Sequence, residues 1–111
     1  MDNEPKKTIS FDEFELDASK RRLLREGKPL VISAKAFDVL IFLAENAGRV
    51  VSKDEILSAV WENQFVEEAN LAVQISALRK ALGEQRGSPR FLITVPGKGY
   101  EFVADVETSQ R

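Results

Sequence analysis

The sequence predicts an α+β fold in which a small N-terminal antiparallel sheet is followed by a three-helix body and a C-terminal β-hairpin. Short apolar segments separated by turn and charge signals occupy residues 9–32. Residues 34–82 contain three stretches in which apolar residues recur with helical spacing, and residues 91–104 contain two apolar segments around a Pro-Gly-Lys-Gly turn. Strands and helices that are segregated along the chain in this way are typical of the α+β class.

The first region is predicted to hold four short strands, at residues 9–11, 14–16, 22–25 and 30–32. Glu26-Gly27 has the composition of a hairpin turn between the last two strands, and Asp17-Ala18-Ser19 supplies a further turn. The polar, aperiodic ends of the chain are predicted to lie outside the fold. The expected organisation is therefore a polar tail at residues 1–8, one domain at residues 9–106 and a linker stub at residues 107–111.

The first helix is predicted at residues 34–47, with Ser33 as its N-cap and Gly48 directly after its end. Its apolar residues have the spacing of one buried face, and they are Phe37, Leu40, Ile41 and Ala44. The second helix begins at Ser52-Lys53-Asp54-Glu55, which has the spacing of a capping box, and it ends near Trp61.

The third helix is predicted at residues 69–82, after an acidic connection at residues 62–68, and Gly83 ends it. Its core stripe consists of Leu71, Ile75, Leu78 and Leu82. Two strands at residues 91–95 and 100–104 then form a hairpin, because residues 96–99 permit a tight reversal. We expect this hairpin to project from the helices and to be separate from the N-terminal sheet.

The composition excludes several classes of function. With 111 residues, 43% of them hydrophobic, the chain can bury one core and form one domain. It has no apolar run long enough to cross a bilayer and no signal-peptide core near its N-terminus. Cysteine and histidine are absent, which removes disulfides, thiolate chemistry and the commonest general base and metal ligand. We therefore expect a cytoplasmic binding module that is not an enzyme and needs no cofactor or metal.

The charge is unevenly distributed along the chain. The net charge is -2, but residues 1–68 carry net -4 and residues 101–111 carry net -2. Residues 69–100 carry net +4, from Glu84 and the five cations Arg79, Lys80, Arg86, Arg90 and Lys98. A basic patch on an acidic body is the footprint that binding of a polyanion requires. Ordinary solvated charge explains the pattern equally well.

The face of the third helix opposite its core stripe is unusual for a solvated surface. A helical projection places there Ala69, Val73, Ser76, Ala77 and Lys80, with Asn70 at the edge. In the DNA major groove an asparagine can pair with adenine, and alanine or valine can touch a thymine methyl group. The alternatives are packing on another protein domain or an alanine-rich solvent surface. Lys98, at the tip of the hairpin turn, favours DNA.

Residues 23–104 resemble the OmpR/PhoB-type winged-helix domain in order and spacing. The resemblance is carried by GRVVSKDEIL at residues 48–57, VW at 60–61, VQISALRKAL at 73–82 and TVPGKGY at 94–100. It implies a winged helix-turn-helix in which the third helix enters the major groove and the hairpin, called the wing, reaches the DNA backbone or the minor groove. The implied function is sequence-specific binding of double-stranded DNA by a bacterial transcription regulator.

By matching position, the resemblance implies base-facing roles for Ala69, Asn70, Val73 and Ala77. It implies contacts with the DNA backbone for Trp61, Gln74, Ser76, Arg79, Thr94 and Tyr100. Lys80, at the helix end, and Lys98, at the wing tip, are further candidates for phosphate contacts. Core packing remains the alternative for Trp61 and Tyr100, and a solvated helix end for Arg79 and Lys80.

The chain departs from the family pattern at Ser76, Ala77 and Pro96, where many relatives carry arginine. We therefore expect weaker attraction to phosphate and a different operator sequence. A protein-interaction module without direct DNA binding is the alternative function, since winged helices also bind proteins.

The resemblance also implies partners for the domain. Its position near Met1 is similar to the one-component, ToxR/CadC-like arrangement, in which a sensor domain or membrane segment follows. The acidic connection carries Glu62, Glu67 and Glu68, where the resemblance implies contact with RNA polymerase or its sigma subunit. Because the sequence has no long heptad run and no large apolar patch, we expect a monomer in solution that pairs on tandem half-sites of DNA.

Overall fold

The computed structural model describes residues 7–62, 64–84 and 90–110, and these ranges contain three helices and eight strands. The helices are α1 (Ala34–Glu45), α2 (Lys53–Val60) and α3 (Glu68–Ala81). The strands are β1 (Lys7–Phe11), β2 (Phe14–Asp17), β3 (Arg22–Arg25), β4 (Lys28–Leu30), β5 (Val50–Ser52), β6 (Leu92–Val95), β7 (Gly99–Phe102) and β8 (Glu107–Gln110). The α+β class and the order of sheet, helices and hairpin are confirmed.

Five strands form the N-terminal sheet in the order β4-β3-β2-β1-β8, and all neighbours are antiparallel. One face of the sheet is apolar. Ile9 and Phe11 of β1 and Leu16 of β2 are buried, whereas Glu15 of β2 is exposed. This alternation with a period of two turns one face of the sheet toward the core and the other toward solvent.

The hairpin turn at Glu26-Gly27 is confirmed, but the strand after it starts earlier than predicted. Both turn residues have positive φ, 51° for Glu26 and 80° for Gly27, as a two-residue type I′ turn requires. The turn pairs Arg25 with Lys28, so β4 spans Lys28–Leu30 and the predicted strand at residues 30–32 is wrong.

The boundary predicted at residue 106 is also wrong, because Glu107–Gln110 forms β8 and is not a linker stub. Its residues pair with β1, for example Thr108 with Ile9. The domain also begins earlier than predicted, since β1 begins at Lys7, inside the predicted tail. Residues 107–109 of β8 are polar and exposed. Backbone hydrogen bonds to the open edge of β1 hold this strand. Because it has no alternating apolar pattern, the sequence does not predict it.

The two predicted N-caps are confirmed, whereas Gly48 does not directly follow α1, whose C-cap is Asn46. The Ser33 hydroxyl accepts a hydrogen bond in the first turn of α1 at 3.0 Å, and Ser52 and Glu55 form the two reciprocal bonds of a capping box. The bond from the Ser52 backbone N–H is the largest cause that holds the pKa of Glu55 below its ordinary value. The helix ends differ slightly from prediction, since α1 stops at Glu45 and α3 spans Glu68–Ala81.

The structure adds a third strand to the predicted hairpin. The second sheet has the order β5-β7-β6, with Val51 opposite Tyr100 and Ser52 opposite Gly99. β5 has only three residues, which is too short for a strand pattern to be recognised. The hairpin itself, and its separation from the N-terminal sheet, are confirmed.

Four buried phenylalanines join the two sheets. The ring centroid of Phe11 lies 5.4 Å from those of Phe14 and Phe91 and 4.9 Å from that of Phe102. Phe11 and Phe14 are stacked, whereas the other pairs meet edge to face. Aromatic pairs in such geometries contribute ~0.5–1.5 kcal/mol beyond the area they bury. The cluster places the base of the wing on the N-terminal sheet.

Leu78→Ala tests the core stripe of α3. Leu78 is fully buried, with 0% of its surface exposed, so the truncation should lower the free energy of unfolding by ~2–5 kcal/mol through lost burial and a residual cavity. Val73→Ala, at a position that is 63% exposed, is the matched control and should change stability by less than about 0.5 kcal/mol. Urea denaturation measures both variants. An unchanged midpoint for Leu78→Ala would mean that α3 is wrongly oriented.

Candidate nucleic-acid interface

The face of α3 predicted to point away from the core is exposed. It carries Ala69, Asn70, Val73, Ser76, Ala77 and Lys80. The opposite stripe of leucine and isoleucine is at most 2% exposed. Most side chains of the exposed face are short, so another surface can approach the α3 backbone closely.

One polar contact links α3 to the start of α1. The Ser33 hydroxyl donates a hydrogen bond to the side-chain oxygen of Gln74 at 3.1 Å. Because Ser33 is also the N-cap of α1, this bond joins the start of α1 to the middle of α3. Gln74 is half-buried, and part of its hydrogen-bonding capacity is therefore used within the domain.

Trp61 and Tyr100, two of the residues predicted to contact the DNA backbone, are each only 7% exposed. Trp61 lies at the end of α2, where the Lys35 ammonium is 5.6 Å from its ring centroid and donates to the Val60 carbonyl at 2.9 Å. Tyr100 lies on β7, opposite Val51 and Thr94. Core packing accounts for most of the surface of both side chains.

The wing consists of β6 and β7 with a turn at residues 96–98, and Lys98 is exposed in that turn. Gly99 follows the turn and pairs with Ser52 of β5. Only glycine fits there, because a Cβ atom would lie 2.0 Å from the Val51 carbonyl oxygen and φ is +155°. Since Ser52 is also the N-cap of α2, the wing tip lies beside the start of α2.

Arg79 and Thr94, two further predicted backbone contacts, are bonded to each other. The Arg79 guanidinium donates to Thr94 Oγ1 at 2.9 Å and to the Leu92 carbonyl at 3.3 Å. Its Nε atom lies 3.8 Å from Oε2 of Glu84. Arg79 therefore connects the last turn of α3 to β6, and its donors are partly occupied inside the domain.

Arg90 is also engaged within the domain. It pairs with Asp12 and Glu13 in the turn between β1 and β2. The hydrogen bond to Asp12 is the largest cause that raises the pKa of Arg90. The pKa of Glu13 is lowered, first by a hydrogen bond from its own backbone N–H and then by the charges of Arg90 and Arg25.

The basic patch inferred from the sequence is consequently smaller than the count of cations indicates. Arg86 lies outside the described residues. Within the described ranges, Lys80 and Lys98 are the exposed cations of residues 69–100 that form no ion pair.

Lys53, which the sequence analysis does not single out, lies at the same surface as the wing tip. A shallow depression is lined by Ser52, Lys53, Asp54, Glu68, Gly97 and Lys98. The Lys53 ammonium is 3.6 Å from the Glu68 carboxylate, and both side chains are partly exposed. Lys53 follows the N-cap of α2, and only the pairing of β5 with β7 brings it near Lys98, so no local signal could have identified it.

The three acidic residues predicted in the α2–α3 connection have different neighbours. Glu62 lines a depression together with Trp61 and Val66, whereas Glu68 lies beside Lys53. Glu67 is the N-cap residue of α3 and makes no side-chain capping bond.

Within the described ranges, no helix is both long and apolar enough to cross a bilayer. The same ranges contain no group of three or more acidic side chains arranged to hold a metal ion.

The fold and this surface define a winged helix-turn-helix domain, in which α2 and α3 form the helix pair and β6–β7 the wing. Residues 27–102 match the family described as "Transcriptional regulatory protein, C terminal". The chain belongs to this family, and its resemblance to OmpR/PhoB-type domains is confirmed.

Two relatives are transcription regulators. The chain is 33% identical over 99 residues to the transcriptional activator CadC of Escherichia coli (strain K12). The aligned region covers 88% of the chain and 19% of CadC. It is 40% identical over 96 residues to the transcriptional regulator HilA of Salmonella typhimurium, which covers 86% of the chain and 17% of HilA. The chain therefore spans about a fifth of the length of these relatives.

Two solved structures share the fold. The DNA-binding domain of E. coli CadC has a TM-score of 0.79 at 31% identity, covering 90% of this chain and 94% of that domain. The DNA-binding domain of Klebsiella pneumoniae RstA, in complex with the RstA box, has a TM-score of 0.77 at 32% identity, covering 86% and 96% respectively.

Gly99→Ala tests how the wing is anchored. The backbone conformation at position 99 alone should lower the free energy of unfolding by ~1–3 kcal/mol when alanine replaces glycine. The clash of the added Cβ atom with the Val51 carbonyl oxygen should lower it further. Gly97→Ala is the matched control, because φ is also positive (+74°) but nothing lies within 4 Å of the added Cβ atom. Thermal unfolding should therefore show a larger loss for Gly99→Ala. Equal losses would contradict the close approach of β7 to β5.

Proposed function

We propose that this chain is the sequence-specific DNA-binding domain of a bacterial transcription regulator, with α3 in the major groove of double-stranded DNA and the wing on the backbone or adjacent minor groove. The observation that carries the proposal is the exposed face of short side chains on α3, beside a hairpin with an exposed lysine at its tip. The CadC domain is named as DNA-binding, and the RstA domain is named in complex with its box.

We propose that Ala69, Asn70, Val73 and Ala77 face the base edges. All four are exposed on one side of α3. The Asn70 amide can donate to and accept from adenine, while the alanine and valine side chains suit thymine methyl groups.

We propose two kinds of role for the remaining predicted residues. Ser76, Lys80 and Lys98 are exposed and meet the sugar-phosphate backbone, and Lys53 joins them because it shares a depression with Lys98. A second group chiefly supports this surface through contacts within the domain. Thr94 of this group is exposed, and the others offer the backbone only their exposed edges: Trp61, Gln74, Arg79 and Tyr100.

The domain is proposed to act without catalysis, because the matched family and both relatives are transcription regulators. We further propose that it works in the cytoplasm, that it is a monomer in solution, and that two copies pair on tandem half-sites about 10 base pairs apart. A sensor domain or membrane segment of the same protein is proposed to respond to the signal.

A protein-interaction module is the second candidate, and the small number of unpaired cations at the α3 surface favours it. Selection of bound sequences from a random DNA pool separates the two candidates. Enrichment of one motif, with affinity that falls steeply with salt, supports DNA binding, since phosphate contacts release counterions. Recovery of no motif would leave the interaction module as the better function.

We propose that RNA polymerase or its sigma subunit contacts the α2–α3 connection at Glu62 and Glu67, and that Glu68 contributes at its edge. Phe65, in the same connection, is fully exposed, which adds an apolar contact point to the acidic one. A partner surface with basic and apolar character would match this connection.

Reversing the charge at Glu62 and Glu67 in the full-length regulator tests this contact. The double substitution to lysine should reduce activation of a reporter gene, while affinity for the operator is maintained, because neither residue lies on the exposed face of α3. Glu68→Lys is the comparison: it frees Lys53 from its ion pair and should raise DNA affinity at low salt. Loss of operator binding in the double variant would place the connection in the DNA interface instead.

Asn70→Ala and Lys98→Ala separate base reading from backbone attraction. Asn70→Ala should cost about 1–3 kcal/mol on the selected operator and much less on random DNA. Lys98→Ala should weaken binding to both DNAs similarly and lower the salt slope by about one, because a lysine on phosphate carries no sequence information. Anisotropy titrations of both variants on both DNAs measure these effects. If Asn70→Ala weakened both DNAs equally, Asn70 would not read a base.

A further inference from the structure

Glu84 is an acidic residue buried at the junction between α3 and the wing. It lies three positions after the last residue of α3, and its side chain is only 3% exposed. Its Oε1 atom accepts hydrogen bonds from three consecutive backbone N–H groups. They belong to Arg90 (3.0 Å), to Leu92 (2.9 Å) and to Phe91 between them. A buried carboxylate is costly unless such partners compensate for its lost hydration.

The second oxygen of Glu84 is less well satisfied. Oε2 lies 3.8 Å from Arg79 Nε, and it accepts no hydrogen bond from the described residues. Arg79 in turn donates to Thr94 Oγ1. We call the three residues Glu84, Arg79 and Thr94 the wing clamp, because they connect the end of α3 to β6 at Leu92 and Thr94.

The wing clamp differs from the other polar attachment of the wing base. Arg90 bonds to Asp12 at the surface, where both side chains are about half exposed, and exposed ion pairs of this kind stabilise a fold only slightly. Glu84 is the buried attachment, and its bonds go to the backbone where β6 begins. It therefore constrains the direction of β6 more strongly than a surface ion pair does.

We infer that Glu84 is a positioning residue for DNA binding: it sets the wing relative to α3, so that Lys98 and the exposed face of α3 meet one duplex together. The inference rests on the proposed function of the domain. It also gives Arg79 its main role in the wing clamp. Only the guanidinium donors that are not used in the clamp are then free to contact phosphate. Glu84 itself, being buried, does not contact DNA.

A double-mutant cycle between Glu84→Ala and Lys98→Ala tests the inference on random DNA. In the otherwise unchanged domain, Lys98→Ala should lower the salt slope by about one. In the Glu84→Ala background the same substitution should change the slope by less than half as much, because the wing no longer holds Lys98 at the phosphate. Glu101→Ala is the matched control, since it removes one negative charge from β7 of the wing at a position paired with Ile93 and Val50 and not with a residue of the wing clamp.

If Lys98→Ala still lowered the salt slope by its full amount in folded Glu84→Ala, the inference would be overturned. A loss of stability alone would not abolish this effect of Lys98→Ala. Glu84→Gln provides a second variant if the alanine variant does not fold. It keeps an oxygen acceptor for the N–H groups of residues 90–92 and should restore most of the Lys98 effect.

Hydrogen exchange of the DNA-free domain gives a readout that does not depend on the proposed function. Glu84→Ala should accelerate amide exchange at Phe91 and Leu92 by about tenfold or more relative to Glu101→Ala, because both N–H groups lose their acceptor. Glu84→Gln should accelerate exchange by less, because its neutral amide oxygen still accepts but is a weaker acceptor than a carboxylate. If Lys98→Ala had no effect in the unchanged domain, the proposed wing contact would be wrong. Hydrogen exchange would then be the remaining test of whether Glu84 positions β6. Unchanged exchange at the Phe91 and Leu92 amides would overturn that positioning.

Discussion

The packing of Phe11 against Phe14, Phe91 and Phe102 is the contact on which the rest of the structure depends. These rings come from the N-terminal sheet, from the segment that leads into β6 and from β7. Because the cluster holds the base of the wing on the sheet, β7 can pair with β5 and bring the wing turn beside the N-cap of α2. The geometry of the interface is therefore a consequence of apolar packing some distance away from it.

Electrostatics has a different part in this domain. Several arginines bond to acidic side chains of the same chain, including Arg25 to Glu13 and Arg49 to Glu55. Pairs of this kind stabilise the fold only slightly, but each offsets one positive charge within the domain. With a net charge of -2, the domain has little general attraction for a polyanion. In the proposed DNA complex, shape and the few exposed lysines near α3 and the wing therefore carry more of the binding.

The parts of the fold that local chemistry specifies could be predicted, and those that depend on distant partners could not. The caps at Ser33 and Ser52 and the turn at Glu26-Gly27 need only near neighbours in sequence, and the structure contains all three. β5 and β8 lack such signals. β5 is three residues long, and the described side chains of β8 are polar and exposed, so each strand forms only because a partner edge is available.

The same division applies to the candidate site. The sequence by itself determined which face of α3 is exposed, because helical periodicity with a strong apolar stripe leaves one orientation. It also determined that Lys98 lies at a hairpin tip. Only the tertiary structure decided that Arg79 bonds to Thr94, that Lys53 lies near Lys98, and that Glu84 is buried against the start of β6. These contacts join residues from separate elements, and side-chain pairing between elements is set by the packed core, which no local pattern in the sequence encodes.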